Sequence, residues 1–284
     1  MGRYENVQIF EDSKRMWETL SRLKEGLRTS LHEQKLIRES EALPSHLGER
    51  RYDEPAKLRV SKRRSFEAAQ RYMGKKVCVL NFASATNPGG GVVKGSSAQE
   101  ECLCRCSTLY PNLNCREMWD GFYSPHRRSG NPLHNDDCIY TPGVVVFKTD
   151  EATPYLLPER MWYTVDVLTC AAPNLRERPS NEMNPREGKR SVHISEEQLQ
   201  KLHEKRMRRI LDLAVEQKAE VLILGAFGCG AFSNPPEVVA RAEKTVVEDY
   251  RYCFRDIEFA VYCSPGDDTN YRVFSKIMRE ESTP

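Results

Sequence analysis

Three consecutive glycines, Gly89-Gly90-Gly91, sit between Asn87-Pro88 and Val92, and Gln99-Glu100-Glu101 follows shortly after. Glycines in a row remove every side chain from one stretch. Backbone there approaches a ligand closely, and its N–H groups can face a phosphate. Two adjacent carboxylates then enter where a helix should begin. A phosphate cradle beside a candidate acid is what cleavage of a nucleotide–sugar bond requires. Glu100 and Glu101 project about 100° apart on a helix, so only one is expected to face a ligand fully. A second turn, Gly228-Cys229-Gly230-Ala231-Phe232, also precedes a helix start. A helix end favours an anion, and two such loops at one sheet edge would clasp a diphosphate. Alone, either loop serves equally well as a tight turn, and the glutamates as favourable helix-terminal charge; their coupling points to chemistry. Neither loop reads GxGxxG and no GxxxxGK[ST] occurs, so these are not dinucleotide-oxidoreductase or P-loop signatures.

The elements that must position these loops are readable. Val77-Cys78-Val79-Leu80-Asn81-Phe82 and Val221-Leu222-Ile223-Leu224 are apolar runs expected of strands buried on both faces. Each leads directly into a glycine loop. Further strands are expected at Cys138–Tyr140, Val144–Phe147, Trp162–Leu168 and Ile257–Cys263. Helices are expected from Ser65 as N-cap, over Ala98–Leu109, from the capping box Ser195-Glu196-Glu197-Gln198, from Asn234 as N-cap with Pro235 at the first helical position, and over Tyr271–Ile277. Asn112–Asp137 and Asn174–Arg190 read as loops, the second of them exposed. Before Ser65, Met16, Leu20, Leu23 and Leu27 fall at helical spacing, and the polar stretch Glu39–Pro55 reads as an extended connection. Strand–helix alternation implies an α/β layered domain with a largely parallel central portion, whose ligand binds at the carboxyl ends of the strands. Residues 1–60 are read as a helical extension packed on a domain of residues 61–284.

Composition narrows the function class. With 284 residues, 39% of them hydrophobic, the chain can build one large core. A net charge of +2 gives no basic excess of the kind duplex binders carry. No segment reaches the roughly 20 apolar residues of a membrane helix, and the polar start is not a signal peptide. The expectation is a cytoplasmic monomer with its ten cysteines reduced. Cys102, Cys104, Cys106 and Cys115 form no CxxC pair and are read as small core residues rather than zinc ligands. Neither metal nor cofactor is expected.

Asn87-Pro88-Gly89-Gly90-Gly91 followed by Gln99-Glu100-Glu101 resembles the signature of the poly(ADP-ribose) glycohydrolases. The flanking Leu80–Ala85 and Leu103–Tyr110, and the second loop Gly225–Pro236, are similar to the microbial-type branch. The resemblance spans Phe66 to the C-terminus. It implies a macrodomain-like three-layer α/β/α sandwich with a mixed central sheet and an N-terminal helical extension. It also implies hydrolysis of ribose–ribose O-glycosidic bonds in poly(ADP-ribose), with ADP-ribose released from the chain terminus. On the family's motif Glu101 is the catalytic acid and Glu100 positions the distal ribose. Gly89, Gly90 and Gly91 hold the diphosphate, with Val92 closing that loop, and Asn87 and Phe232 hold the ribose. Gly228 and Gly230 form the opposite wall, with Cys229 and Ala231 in the same loop. Gln99 braces the first loop. The implied partners are poly(ADP-ribose) or ADP-ribosylated protein as substrate and ADP-ribose as product, without membrane or sequence-specific nucleic acid.

Two other readings compete: a non-catalytic ADP-ribose reader, which would need no Glu101, and a hydrolase of single ADP-ribosyl units. Other residues are weaker candidates. Cys229 beside a helix start is a remote nucleophile candidate with a lowered pKa. His126 and His134 are read as solvated loop histidines, Asp136 and Asp137 as turn residues. Phe82 and Tyr110 are read first as packing residues and second as base contacts. The basic run Lys201–Arg209 is read as a solvated helix face.

Overall fold

The computed structural model describes residues 2–280. Seven strands form one sheet: β1 (Lys35–Ile37), β2 (Lys57–Ser61), β3 (Val77–Phe82), β4 (Cys138–Val146), β5 (Tyr163–Cys170), β6 (Val221–Leu224) and β7 (Asp256–Ala260). Their order is β1-β4-β5-β3-β6-β7-β2. From β5 to β2 all neighbours pair in parallel, while β4 runs antiparallel to both β5 and β1. The two expected strands around Thr141 are one strand, β4, whose register shifts between Thr141 and Val144. The sheet is therefore mixed.

Among the described residues ten α-helices cover it: α1 (Arg3–Thr19), α2 (Ser21–Glu33), α3 (Ser65–Gln70), α4 (Gln99–Cys106), α5 (Leu109–Leu113), α6 (Arg116–Met118), α7 (Ser124–Ser129), α8 (Glu196–Glu216), α9 (Pro236–Asp249) and α10 (Thr269–Arg279). Alternating strand residues split between two cores. Cys78, Leu80, Leu222 and Leu224 pack with Ile210 of α8, Val239 of α9 and Phe274 of α10. Val77, Val79, Val221 and Ile223 pack on the opposite face with Phe10 of α1, Leu23 of α2, Phe66 of α3 and Leu103 of α4. This period-2 partition is why the central strands are apolar on both faces, and it makes three layers.

The N-terminal segment is part of this packing. Phe10 meets Tyr110 edge-on at 4.8 Å, and Trp17 stacks on the same ring at 6.4 Å. Asn6 Nδ2 donates to Gly95 O at 2.9 Å, and Ser13 Oγ donates to Arg105 O at 2.6 Å. A Cβ on Gly95, whose φ is +80°, would collide with the Arg3 carbonyl. Helix α1 thus presses on the back of the first glycine loop. Two strands, β1 and β2, also come from before residue 62 and add the two edges of the sheet.

Several sequence expectations are corrected. Asn112–Asp137 is not a long loop: it holds α5, α6, a π turn at Trp119–Tyr123 and α7, with Leu113, Met118 and Phe122 buried. The spacing was masked because these helices are short and each breaks the 3.6-residue period of the next. Helix α9 starts one residue later than expected, with Pro235 as cap. Asn234 is buried instead, donating to Pro173 O at 2.7 Å and meeting His203 Nε2 at 2.9 Å. Likewise Arg64, not Ser65, caps α3. The capping box at Ser195 is present, with Ser195 Oγ accepting from Gln198 N at 3.2 Å. The run Lys201–Arg209 is not wholly solvated. Arg206 is buried and pairs with Asp136 at 2.7 Å, so Asp136 is an ion-pair partner rather than a turn residue. Asp137 accepts from Glu39 N at 2.6 Å.

Candidate active site

The parallel strands all end on one side of the sheet, and the loops leaving them meet there. A cleft of about 500 Å³ is lined by Ser84 and Gly90 after β3, Gly228, Gly230, Ala231 and Phe232 after β6, Ala172 and Asn184 after β5, Tyr262 after β7, and Arg64 after β2. Glu100, Glu101 and Gln99, opening α4, form its floor. The location follows from the topology: carboxyl ends of parallel strands leave a crevice that connecting loops can line.

The two glutamates are held differently. Glu100 has both oxygens occupied, Oε1 by Asn81 Nδ2 at 3.3 Å and Oε2 by Ser84 N at 2.8 Å. Glu101 has one oxygen fixed, Oε1 accepting from Gly91 N at 2.8 Å, while Oε2 is buried without a hydrogen-bond partner among the described residues. Both therefore reach the cleft, but Glu101 alone presents a free carboxyl oxygen. Burial pushes both carboxyls up; the Ser84 N–H opposes this at Glu100 and the Gly91 N–H at Glu101. A carboxyl held above its ordinary range keeps its proton to higher pH, which is what a proton donor requires.

Gly90 explains why glycine is required at this point. Its φ is +58°, and a Cβ there would lie 2.5 Å from Glu101 Oε1 and 3.2 Å from Glu100 Oε2. Gly89 (φ +65°) turns away from the cleft, since a Cβ there would meet Tyr110 at 2.8 Å, whereas one on Gly91 would run into the cleft residues Ser96 and Met183. Val92 is fully buried beneath. Asn87 is likewise outside the lining, its Nδ2 donating to Asn184 Oδ1 at 2.6 Å and its Oδ1 accepting from Arg127 Nη2 at 2.6 Å. Gln99 clamps the loop base, accepting from Phe82 N at 2.9 Å and donating to Leu80 O at 2.8 Å and Ser65 Oγ at 2.9 Å.

Cys229 lies behind its loop, and burial raises its thiol pKa, so the lowered-pKa nucleophile reading is overturned. Burial likewise raises the thiols of Cys102, Cys104 and Cys106, Cys102 to about 11. Phe82 lines the cleft and packs on Phe227 at 5.6 Å, while Tyr110 stays behind the first loop.

The histidines are not solvated. His126 is buried with Nδ1 on Phe122 O at 2.8 Å. His134 bridges Ala172 O and Glu187 Oε2, each at 2.8 Å. Glu187 also accepts from Thr86 Oγ1 at 2.7 Å and Ser84 Oγ at 3.0 Å. Burial disfavours its charge, yet His134, Thr86 and Ser84 outweigh burial and hold the carboxyl down to about 2. The stretch Asn174–Arg190 is thereby tied across the cleft, not spread in solvent. Sequence reasoning missed its cleft residues Arg176, Asn181, Met183 and Asn184, and also Asp150 and Tyr262. The available signal was position: an Asn-rich segment directly after a buried strand.

A mixed sheet with two glycine loops on adjacent strands and a buried acid between them defines a macrodomain-like protein. A model of the family described as microbial-type PARG, catalytic domain, matches residues 7–149. The chain belongs to that family. Among solved structures it is similar to the poly(ADP-ribose) glycohydrolase from Thermomonospora curvata, at 28% identity and TM-score 0.79, over 96% of this chain and 99% of that one. The same enzyme bound to the inhibitor ADP-HPD matches at 27% identity and TM-score 0.77, with the same coverage. The Deinococcus radiodurans enzyme in complex with ADP-ribose matches at 29% identity and TM-score 0.73, over 89% of this chain and 96% of that one. No curated protein matches.

Proposed function

We propose that this protein is a poly(ADP-ribose) glycohydrolase that hydrolyses ribose–ribose O-glycosidic bonds and releases ADP-ribose, with Glu101 as general acid and then general base. The observation that carries the reading is the divided state of Glu101: one oxygen fixed by Gly91 N, the other buried, unpartnered and in the cleft wall. Glycoside cleavage needs a proton on the departing oxygen and tolerance of an oxocarbenium-like centre. The raised carboxyl supplies the proton, and its carboxylate then deprotonates the incoming water. Glu100, with one hydrogen bond on each oxygen from Asn81 and Ser84 and acceptor capacity left over, is set to orient sugar hydroxyls rather than to transfer a proton. Gly90 on one wall and Gly228 to Phe232 on the other would take the diphosphate and distal ribose, with Asn87 acting through Asn184. Residues 1–60 serve as an extension that braces the first loop through Phe10, Asn6 and Ser13.

The solved relatives act on or bind ADP-ribose compounds by their descriptions, which supports the same ligand here. The test is ADP-ribose release from purified poly(ADP-ribose), with ADP-ribose affinity measured in parallel. Turnover supports the reading. Binding without turnover means a reader, and turnover restricted to mono-ADP-ribosylated protein means a hydrolase of single units.

A further inference from the structure

Two arginines lie behind the Asn184 side of the cleft, and neither is in an ion pair among the described residues. Arg127 of α7 is a fixed fork: Nε donates to Thr86 O and Nη2 to Asn87 Oδ1, each at 2.6 Å, and its Cζ lies 4.4 Å from the Trp119 ring centroid. Its Nη1 makes no hydrogen bond among the described residues. Burial, followed by the charge of Arg186, pulls its pKa down, and no carboxylate acts on it. Arg186 is exposed and holds a left-handed backbone, φ +68°. That conformation is clamped on both sides: Pro185 O accepts from Thr86 Oγ1 at 3.0 Å, and the Glu187 side chain turns inward to His134. Strain of this kind in a non-glycine residue persists where surrounding structure enforces it. Arg127 is joined to the cleft wall through Asn87 and Asn184, and Asn87 Nδ2 also donates to Pro185 O at 3.2 Å, which brings the backbone beside Arg186 to the same network.

We propose that Arg127 and Arg186 form a subsite for the phosphates of the leaving group, the ADP-ribose unit on the far side of the scissile bond. The inference rests on the glycohydrolase reading above. A nucleotide with its diphosphate on the glycine loops and its bond at Glu101 sends the rest of the polymer out of the cleft. The departing unit carries its own diphosphate, and a pair of guanidinium groups is suited to it, because arginine binds phosphate oxygens bidentately. The pair would make the enzyme selective for polymer over ADP-ribose attached to an uncharged group.

The test uses two substrates with the same bond: a dimer of ADP-ribose, and that dimer trimmed so the leaving side is adenosine without phosphates. Wild type is expected to prefer the intact dimer by about five- to tenfold in kcat/KM, with a steeper salt dependence. Arg186→Gln should lose that preference and the extra salt dependence, while cleavage of the trimmed dimer and ADP-ribose affinity stay unchanged; Arg186→Lys should retain part of it. Equal cleavage of both substrates by wild type, or an equal loss on both in Arg186→Gln, overturns the subsite. Cleavage of neither by wild type overturns the glycohydrolase reading and the subsite with it.

Discussion

Gly90→Ala isolates the contact on which the acid's position depends. The new Cβ would sit 2.5 Å from Glu101 Oε1 and 3.1 Å from Glu101 Cδ. Neither partner is free to yield. Oε1 is held by Gly91 N, and Glu101 is itself buried. Relief to ordinary contact therefore requires the carboxyl and the loop to separate by about 1 Å. Displacements of that size reduce catalysis by about 100-fold. The left-handed backbone adds a strain of about 1–2 kcal/mol, small beside the roughly 5–15 kcal/mol of a folded domain, so the variant should fold with a melting point a few degrees lower. Gly74→Ala is the control: φ is +89° and nothing lies within 4 Å of its Cβ position. It should share the strain and keep full activity. Steady-state kinetics on poly(ADP-ribose), with thermal unfolding of both variants, decides the matter. Comparable kcat in Gly90→Ala and Gly74→Ala would refute the reasoning.

Three further expectations follow from the same geometry. Because the proton donor is a carboxyl raised by burial, kcat should be flat at acid pH and fall as pH rises through the Glu101 pKa; a profile with no group titrating on that side contradicts it. Asp150 is buried with Oδ1 unpartnered, and burial raises its carboxyl from 3.8 to about 6. Its folded pKa lies above its unfolded one, so the contribution of Asp150 to stability should fall as pH rises from 3.8 to about 6. Asp150→Asn should gain up to about 3 kcal/mol above that window and nothing below it, read by denaturant unfolding at several pH values. Glu187 is the opposite case, depressed from 4.5 to about 2, so its contribution is present above 4.5 and lost as pH falls towards 2. Glu187→Ala leaves His134 and Thr86 without their buried partner and should lower stability at pH 7 by about 3 kcal/mol. It should also speed proteolysis within 174–194, and unchanged cleavage there would show that the network does not hold the loop.

What the sequence disclosed was what is written locally. The apolar runs of β3 and β6, the glycines after them and the Ser195 capping box each declare themselves within a few residues. The pairing of Gly90–Gly91 with Glu101 is also short-range, which is why the central site was legible. Contacts closed over long distances were not. His134 and Glu187 are 53 residues apart, and neither neighbourhood shows a period that would mark it as buried. Arg206 sits within a basic run and is distinguished from its neighbours only by Asp136, 70 residues away. The short helices α5 to α7 change phase too quickly for a periodic pattern to develop. The helical spacing of Met16, Leu20, Leu23 and Leu27 was visible, but not that Phe10 and Trp17 press on the back of the glycine loop, since that depends on where Tyr110 ends up.

The most direct test of the central claim is single-turnover cleavage of poly(ADP-ribose) by Glu101→Gln, with ADP-ribose affinity measured on the same sample. Glutamine keeps the shape and the acceptor for Gly91 N but has no proton to give. The account predicts near-wild-type binding with a cleavage rate lower by about 100-fold or more. Cleavage within a few-fold of wild type would mean that the proton comes from another group, and the assignment of Glu101 would fall.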